Sequence, residues 1–156
     1  MVSTIVGRVE ADQLNSLKTK RPENMVAYDL VLQGLEYAKR GSVFKENTEN
    51  AIRLFEKAID VEPSYARAHA WRACSLSNLA DWQEAQDPKL SMEALKSINK
   101  AMELDPSEPE VHRIMGSIKL WRERDYEIAK YHFEKARELC PSDISVSYTH
   151  LTLPTK

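Results

Sequence analysis

Glycine is scarce in this chain of 156 residues: there are four, Gly7, Gly34, Gly41 and Gly116. No two are close enough to frame a phosphate-cradling loop or a dinucleotide fingerprint, so a nucleotide held by a glycine-rich turn is excluded. The two cysteines, Cys74 and Cys140, have no Cys-x-x-Cys or Cys/His spacing around them. That excludes a disulfide framework and leaves no metal pattern; they read as reduced residues of a cytoplasmic protein. No apolar run is long enough to cross a bilayer, and Met1 to Gly7 has neither the charge nor the length of a signal peptide. With 22 basic and 24 acidic residues the net charge is −2, which gives no reason to expect nucleic acid or a membrane as partner. No nucleophile, base and orienting acid stand at a motif spacing, so no catalytic residue, metal or cofactor is expected.

What the chain does contain is one pattern written three times: Ala51 to Pro63, Ala94 to Pro106 and Ala129 to Pro141. In each copy an Ala is followed four residues on by a large apolar residue, Phe55, Ile98 or Phe133. A second Ala comes three later, at Ala58, Ala101 and Ala136, and a Pro closes the run. Steps of three and four place these residues on one helical face. The Pro cannot continue a helix and fixes the stop. Small residues on that face admit a neighbouring helix closely, with the large residue as the knob. Another small residue stands in the helix ahead of each copy: Gly34, Ala73 and Gly116. Each unit therefore reads as two antiparallel helices, with periods of the order seen in helical solenoids.

Over about Asn24 to Pro141 this pattern resembles the tetratricopeptide repeat, with Gly/Ala in its first helix, Ala-x3-Phe-x2-Ala in its second and a closing Pro. The resemblance implies an all-α, right-handed helical-repeat solenoid. Residues 25–63, 64–106 and 107–141 are its three helix pairs, within a repeat domain spanning 21–144. The gaps Gly34–Ala51 and Ala73–Ala94 exceed the family's usual spacing, so the extra residues fall in the turns inside repeats one and two.

Taken in order, Val2, Ile5, Val6, Val9, Leu14 and Leu17 form an apolar stripe that predicts a leading helix over residues 1–20. The first repeat opens with a helix from Met25 to about Lys39. Asn47 or Thr48 is expected to cap the second, which runs to about Val61. Asp87-Pro88 predicts an N-cap followed by a first-position proline. After Pro141 no further helix pattern follows. From Ile144 to Thr155 there is no charged residue, and Val146–Thr155 looks like translated sequencing adapter. Residues 145–156 are accordingly expected to be a non-native tail on a fragment of a longer protein. The last helix should then leave Tyr131 and Leu139 exposed.

His69 and His112 occupy equivalent places in the first helices of repeats two and three, and repeat equivalence marks them as packing residues rather than ligands. The family resemblance places the functional surface on a groove lined by those first helices. Candidate lining residues are Tyr28, Val31, Leu35 and Ala38 in repeat one; Arg67, Ala70, Cys74, Ser77 and Asn78 in repeat two; and Glu110, Arg113, Ser117, Leu120 and Trp121 in repeat three. Chaperone-binding relatives carry a Lys/Asn/Arg carboxylate clamp there. Val31 and Leu35 stand at the matching positions of repeat one, so that clamp is absent. With Arg67 and Arg113 as the groove's cations, a protein or peptide with apolar residues and one acidic group is the expected partner.

A longer stretch, Lys20-Arg-Pro-Glu-Asn-Met-Val-Ala-Tyr-Asp-Leu-Val-Leu-Gln-Gly34 followed by Ala51 to Ala58, is similar to one group of proteins. It resembles the C-terminal repeat region of bacterial class III adenylate/guanylate cyclases and of related winged-helix regulators. Two readings follow. The first is a non-enzymatic interaction or scaffold module that binds a protein, or a neighbouring domain of its parent chain. The second is the regulatory C-terminal part of a cyclase that makes cyclic nucleotide from nucleoside triphosphate in a catalytic domain missing here.

Overall fold

The computed structural model describes residues 24–40, 44–82 and 87–141. The expected leading helix over 1–20 and the tail over 145–156 lie outside the described residues. Within them the chain is helical throughout, with no strand. The helices are α1 (Met25–Arg40), α2 (Lys45–Val61), α3 (Ala66–Asp81), α4 (Pro88–Leu104), α5 (Pro109–Ile118) and α6 (Tyr126–Leu139), with a π-turn at Lys119–Glu123 between the last two.

Local chemistry sets the helix ends. Asp87 accepts a hydrogen bond from the Lys89 N–H at 2.9 Å, and Pro88 opens α4 as its spacing predicts. Glu108 and Asp125 do the same for α5 and α6. The start of α2 differs from the expectation that Asn47 or Thr48 caps it. The helix begins at Lys45, and Thr48 is buried inside its first turn. Asn47 instead donates from Nδ2 to the Arg40 carbonyl, tying α2 back to the end of α1 at 3.3 Å. The side chain most suited to cap was claimed by the preceding helix.

Each helix pair closes around one large side chain and one small residue. Phe55 and Phe133 are 0% and 1% exposed. A Cβ added at Gly34 would lie 2.5 Å from the Phe55 ring, and one at Gly116 would lie 2.8 Å from the Phe133 ring. In repeat two the same contact pairs the larger Ala73 with the smaller Ile98, both fully buried in one cluster. Volume is conserved across the pair in all three repeats, as close packing demands.

Between pairs, the second helix of one repeat meets the first helix of the next. Ile52 joins Leu76 and Leu79 in one cluster, and Ile59 packs beside Tyr65 and Ala68 in another. At the equivalent positions Leu95 and Met102 of α4 pack against Val111, Ile114 and Met115 of α5. Arg72 adds a polar strap across α2, α3 and α4: its Nε donates to Glu56 at 3.0 Å and its Nη1 to the Ser97 hydroxyl at 2.7 Å. In α6 the corresponding stacking positions carry Lys130 and Arg137, both exposed. Tyr131 and Leu139 are exposed as expected, at 53% and 41%. However, the side of α6 equivalent to the stacking sides of α2 and α4 carries the charges of Lys130 and Arg137 rather than an aliphatic pair.

Candidate functional site

The first helices α1, α3 and α5 share a face, and between α3 and α5 that face holds a cavity of about 100 Å³. Cys74, Ser77, Asn78 and Asp81 line it from α3, with Ile114, Ser117 and Ile118 from α5. Trp121 and Arg122 close it from the π-turn. Trp121 stands at the mouth with 71% of its surface exposed, the most exposed large apolar side chain among the described residues.

The π-turn explains how a tryptophan is held so openly. After Ile118 the helix widens for five residues, Lys119–Glu123, and then reverses at Arg124, whose φ of 53° is left-handed. The turn is anchored at both sides. Lys119 pairs with Glu123 at 2.7 Å. Arg122 reaches back to α3, where its Nε donates to the Ser77 hydroxyl at 3.0 Å, its Nη2 to the Ser77 carbonyl, and its guanidinium pairs with Asp81 at 3.0 Å. Single-turn π segments recur at functional sites because the extra residue re-aims the side chains that follow. Here Leu120 turns inward against Ala129 and Phe133, and Trp121 turns out.

Of the residues expected to line the groove, Cys74, Ser77, Asn78, Ser117 and Trp121 come together at this cavity. Asn78 is exposed; Ser117 is half-buried and donates from its hydroxyl to the Arg113 carbonyl at 3.1 Å. Burial pushes the Cys74 thiol up, away from the reactive thiolate. Tyr28 and Leu35 are half-buried on α1, Leu35 packed against the first core cluster. Val31, 1% exposed, and Leu120, 4% exposed, are core residues and do not line the groove. Sequence spacing missed Asp81, Ile114, Ile118 and Arg122; of these, Arg122 lies in the π-turn, which breaks the 3.6-residue period that such counting extends.

Arg67 and Arg113 lie on the face expected for them, but they are already engaged. Arg67 pairs at 3.6 Å with Glu108, whose carboxylate is 5% exposed. Arg113 donates from Nε to Glu110 at 2.8 Å, and its guanidinium lies over the Trp71 ring, 5.1 Å from the centroid. An acidic group on a partner would therefore meet cations that already have a carboxylate beside them, although Arg67 Nε makes no hydrogen bond. Counting residues identifies a face but not the ion pairs that form within it. Nearby, Tyr65 is pushed up to about 12, first by burial.

His69 and His112 perform one role twice. Each donates from Nε2 to the carbonyl of the proline that closes the previous repeat: His69 to Pro63 at 2.9 Å and His112 to Pro106 at 2.8 Å. A carbonyl only accepts, so each Nε2 carries a proton, and the Nε2–H tautomer leaves Nδ1 as an acceptor. In repeat three the His132 Nδ1 donates to the bare His112 Nδ1 at 2.9 Å. The ring centroids are 5.2 Å apart, so the two nitrogens meet each other in one hydrogen bond rather than converging on one ion. Among the described residues no three His, Cys, Asp or Glu side chains gather as a metal site. None of the described helices is long and apolar enough to cross a membrane.

The arrangement of helix pairs matches solved structures closely enough to name the fold. The first repeat domain of Spaghetti (RPAP3), bound to the HSP90 peptide SRMEEVD, superposes with a TM-score of 0.60 over 84% of this chain and 92% of that one, at 21% identity. The fold is that of a tetratricopeptide-repeat domain. The first such domain of human RPAP3 matches with a TM-score of 0.62 and 21% identity over 82% of this chain and 89% of that one. The Arabidopsis OM64 repeat domain matches with 0.60 and 18% identity, over 83% and 94%. No protein-family model and no curated protein matches the sequence.

Proposed function

We propose that this tetratricopeptide-repeat domain is a non-enzymatic interaction module that receives a protein segment in the groove between α3 and α5. The observation that carries the reading is Trp121, 71% exposed beside a cavity yet held by a turn strapped to α3. Tryptophan in a rigid setting is a common interface anchor, and an exposed one is costly to maintain without a partner. A structural neighbour bound to a peptide supports the same class of ligand. A photo-crosslinking side chain placed at Asn78 should capture a partner polypeptide, and one placed at Tyr131 on the outer side of α6 should not. Equal capture at both positions would count against the groove.

The run from Lys20 to Gly34 supports a second reading, in which the partner is a neighbouring domain of a bacterial signalling protein and this segment is the regulatory part of an adenylate/guanylate cyclase. The Asn78 cross-link would then land on that domain when both are present in one chain. In either reading the protein works in the cytoplasm, and the 156-residue chain alone makes no cyclic nucleotide. Product formed from nucleoside triphosphate by the purified chain would overturn the non-enzymatic assignment.

A further inference from the structure

We propose that the groove between α3 and α5 selects an uncharged, extended peptide segment carrying an aliphatic side chain next to an aromatic residue or proline. This rests on the interaction-module reading above and specifies its ligand.

The argument begins with charge. Three arginines line or flank the groove, and each has a carboxylate of the same protein beside it: Glu108 at 3.6 Å from Arg67, Glu110 at 2.8 Å from Arg113, and Asp81 at 3.0 Å from Arg122. An acidic ligand would have to displace one of these carboxylates. For Glu108, with 5% of its side chain exposed, displacement strands a buried charge. A basic ligand faces the converse problem, because Glu108, Glu110 and Asp81 are each held by an arginine. Each wall charge already has an opposite charge of the same chain beside it, although Arg67 Nε and Arg122 Nη1 make no hydrogen bond, so a charged partner of either sign gains less than it would from a free one.

Besides its paired charges the cavity offers apolar surface, the Asn78 amide and the Ser117 hydroxyl. The cavity of about 100 Å³ has Ile114, Ile118 and Cys74 among its walls. It is smaller than the roughly 150 Å³ cavity that admits benzene, so it takes an aliphatic side chain and not an aromatic ring. An aromatic ring or proline fits outside, against the exposed face of Trp121. Asn78, exposed on the rim, offers a donor and an acceptor that match a peptide backbone.

The test is a selection of random displayed peptides on the full chain, followed by calorimetry of the synthesised winners. Uncharged sequences with an aliphatic residue next to Phe, Tyr, Trp or Pro should emerge. Their Kd should change by less than about twofold between about 0.1 and about 1 M salt, although the screening length falls from about 10 to about 3 Å. Trp121→Ala should weaken them by about tenfold or more, and Tyr131→Ala should leave them unchanged. Circular dichroism checks that the Trp121 variant is folded. Winners rich in charge, weakened steeply by salt yet still dependent on Trp121, would overturn this inference and leave the interaction module standing. Winners indifferent to both Trp121 and Asn78 would overturn the groove assignment and this inference with it.

Discussion

Replacing Gly34 by Ala tests the packing rule on which the whole stack depends. In an exposed helix this change should stabilise, by about 1 kcal/mol of helix propensity. At Gly34 the new Cβ would meet three atoms of the Phe55 ring at 2.5, 2.9 and 2.9 Å, whereas carbon atoms prefer about 3.5–4 Å. Phe55 is 0% exposed and boxed in by Ala27, Val31, Ala51 and Ala58, so the ring has nowhere to retreat. Overpacking of this kind costs about 1–3 kcal/mol, which outweighs the propensity gain and leaves a net loss of about 1–2 kcal/mol. Phe55→Ile alone should cost a similar about 1–3 kcal/mol, through the void left beside the glycine. Repeat two shows the compensated solution, Ala73 against Ile98. The double variant Gly34→Ala/Phe55→Ile copies it and should return to within about 1 kcal/mol of the parent, a coupling of about 2 kcal/mol. Urea unfolding followed by far-ultraviolet circular dichroism measures all four proteins. If the two single losses simply add in the double variant, the glycine is not there for the ring and the volume rule is wrong.

Acid should weaken repeat three through His132, whose ring is held down to about 4 by burial first and then by His112 and Lys119. With the folded value below the ordinary 6.5, the stabilising contribution is complete above about pH 6.5 and is lost as pH falls towards 4. Melting curves of His132→Gln should therefore show a smaller drop between neutral and mildly acid pH than the parent; an equal drop would place the sensitivity elsewhere. Arg122→Ala removes the strap from the π-turn to Ser77 and Asp81, and should cost about 1–3 kcal/mol while increasing the mobility of Trp121 in fluorescence anisotropy. Unchanged anisotropy would show that the turn holds itself. Deleting residues 145–156 should leave the melting temperature within error, because Lys130 and Arg137 give α6 no apolar stacking side to uncover; unfolding of repeat three on deletion would make that segment part of the fold.

The repeated runs of Ala, a large apolar residue four on and a second Ala three later determined the helices, their pairing and the identity of the core. Those features depend on local period and side-chain size, both written in the chain. The same is true of the closing prolines and of Asp87-Pro88, since caps act over three or four residues. The charge of Lys130 and Arg137, at the positions of the aliphatic pairs Ile52/Ile59 and Leu95/Met102, was written in the chain too, but the expectation of an open apolar face on α6 overlooked it. Tertiary structure alone decided the site. A face can be counted from sequence, but whether Arg67 and Arg113 are available depends on where Glu108 and Glu110 sit once the helices have docked. The π-turn likewise has no local signature. It shifts Leu120 into the core and Trp121 into the open, and Arg122 holds it by bonding to residues more than a full repeat earlier. Period and size act between neighbours in sequence, whereas ion pairing and strapping act between neighbours in space, which exist only after the repeats have stacked.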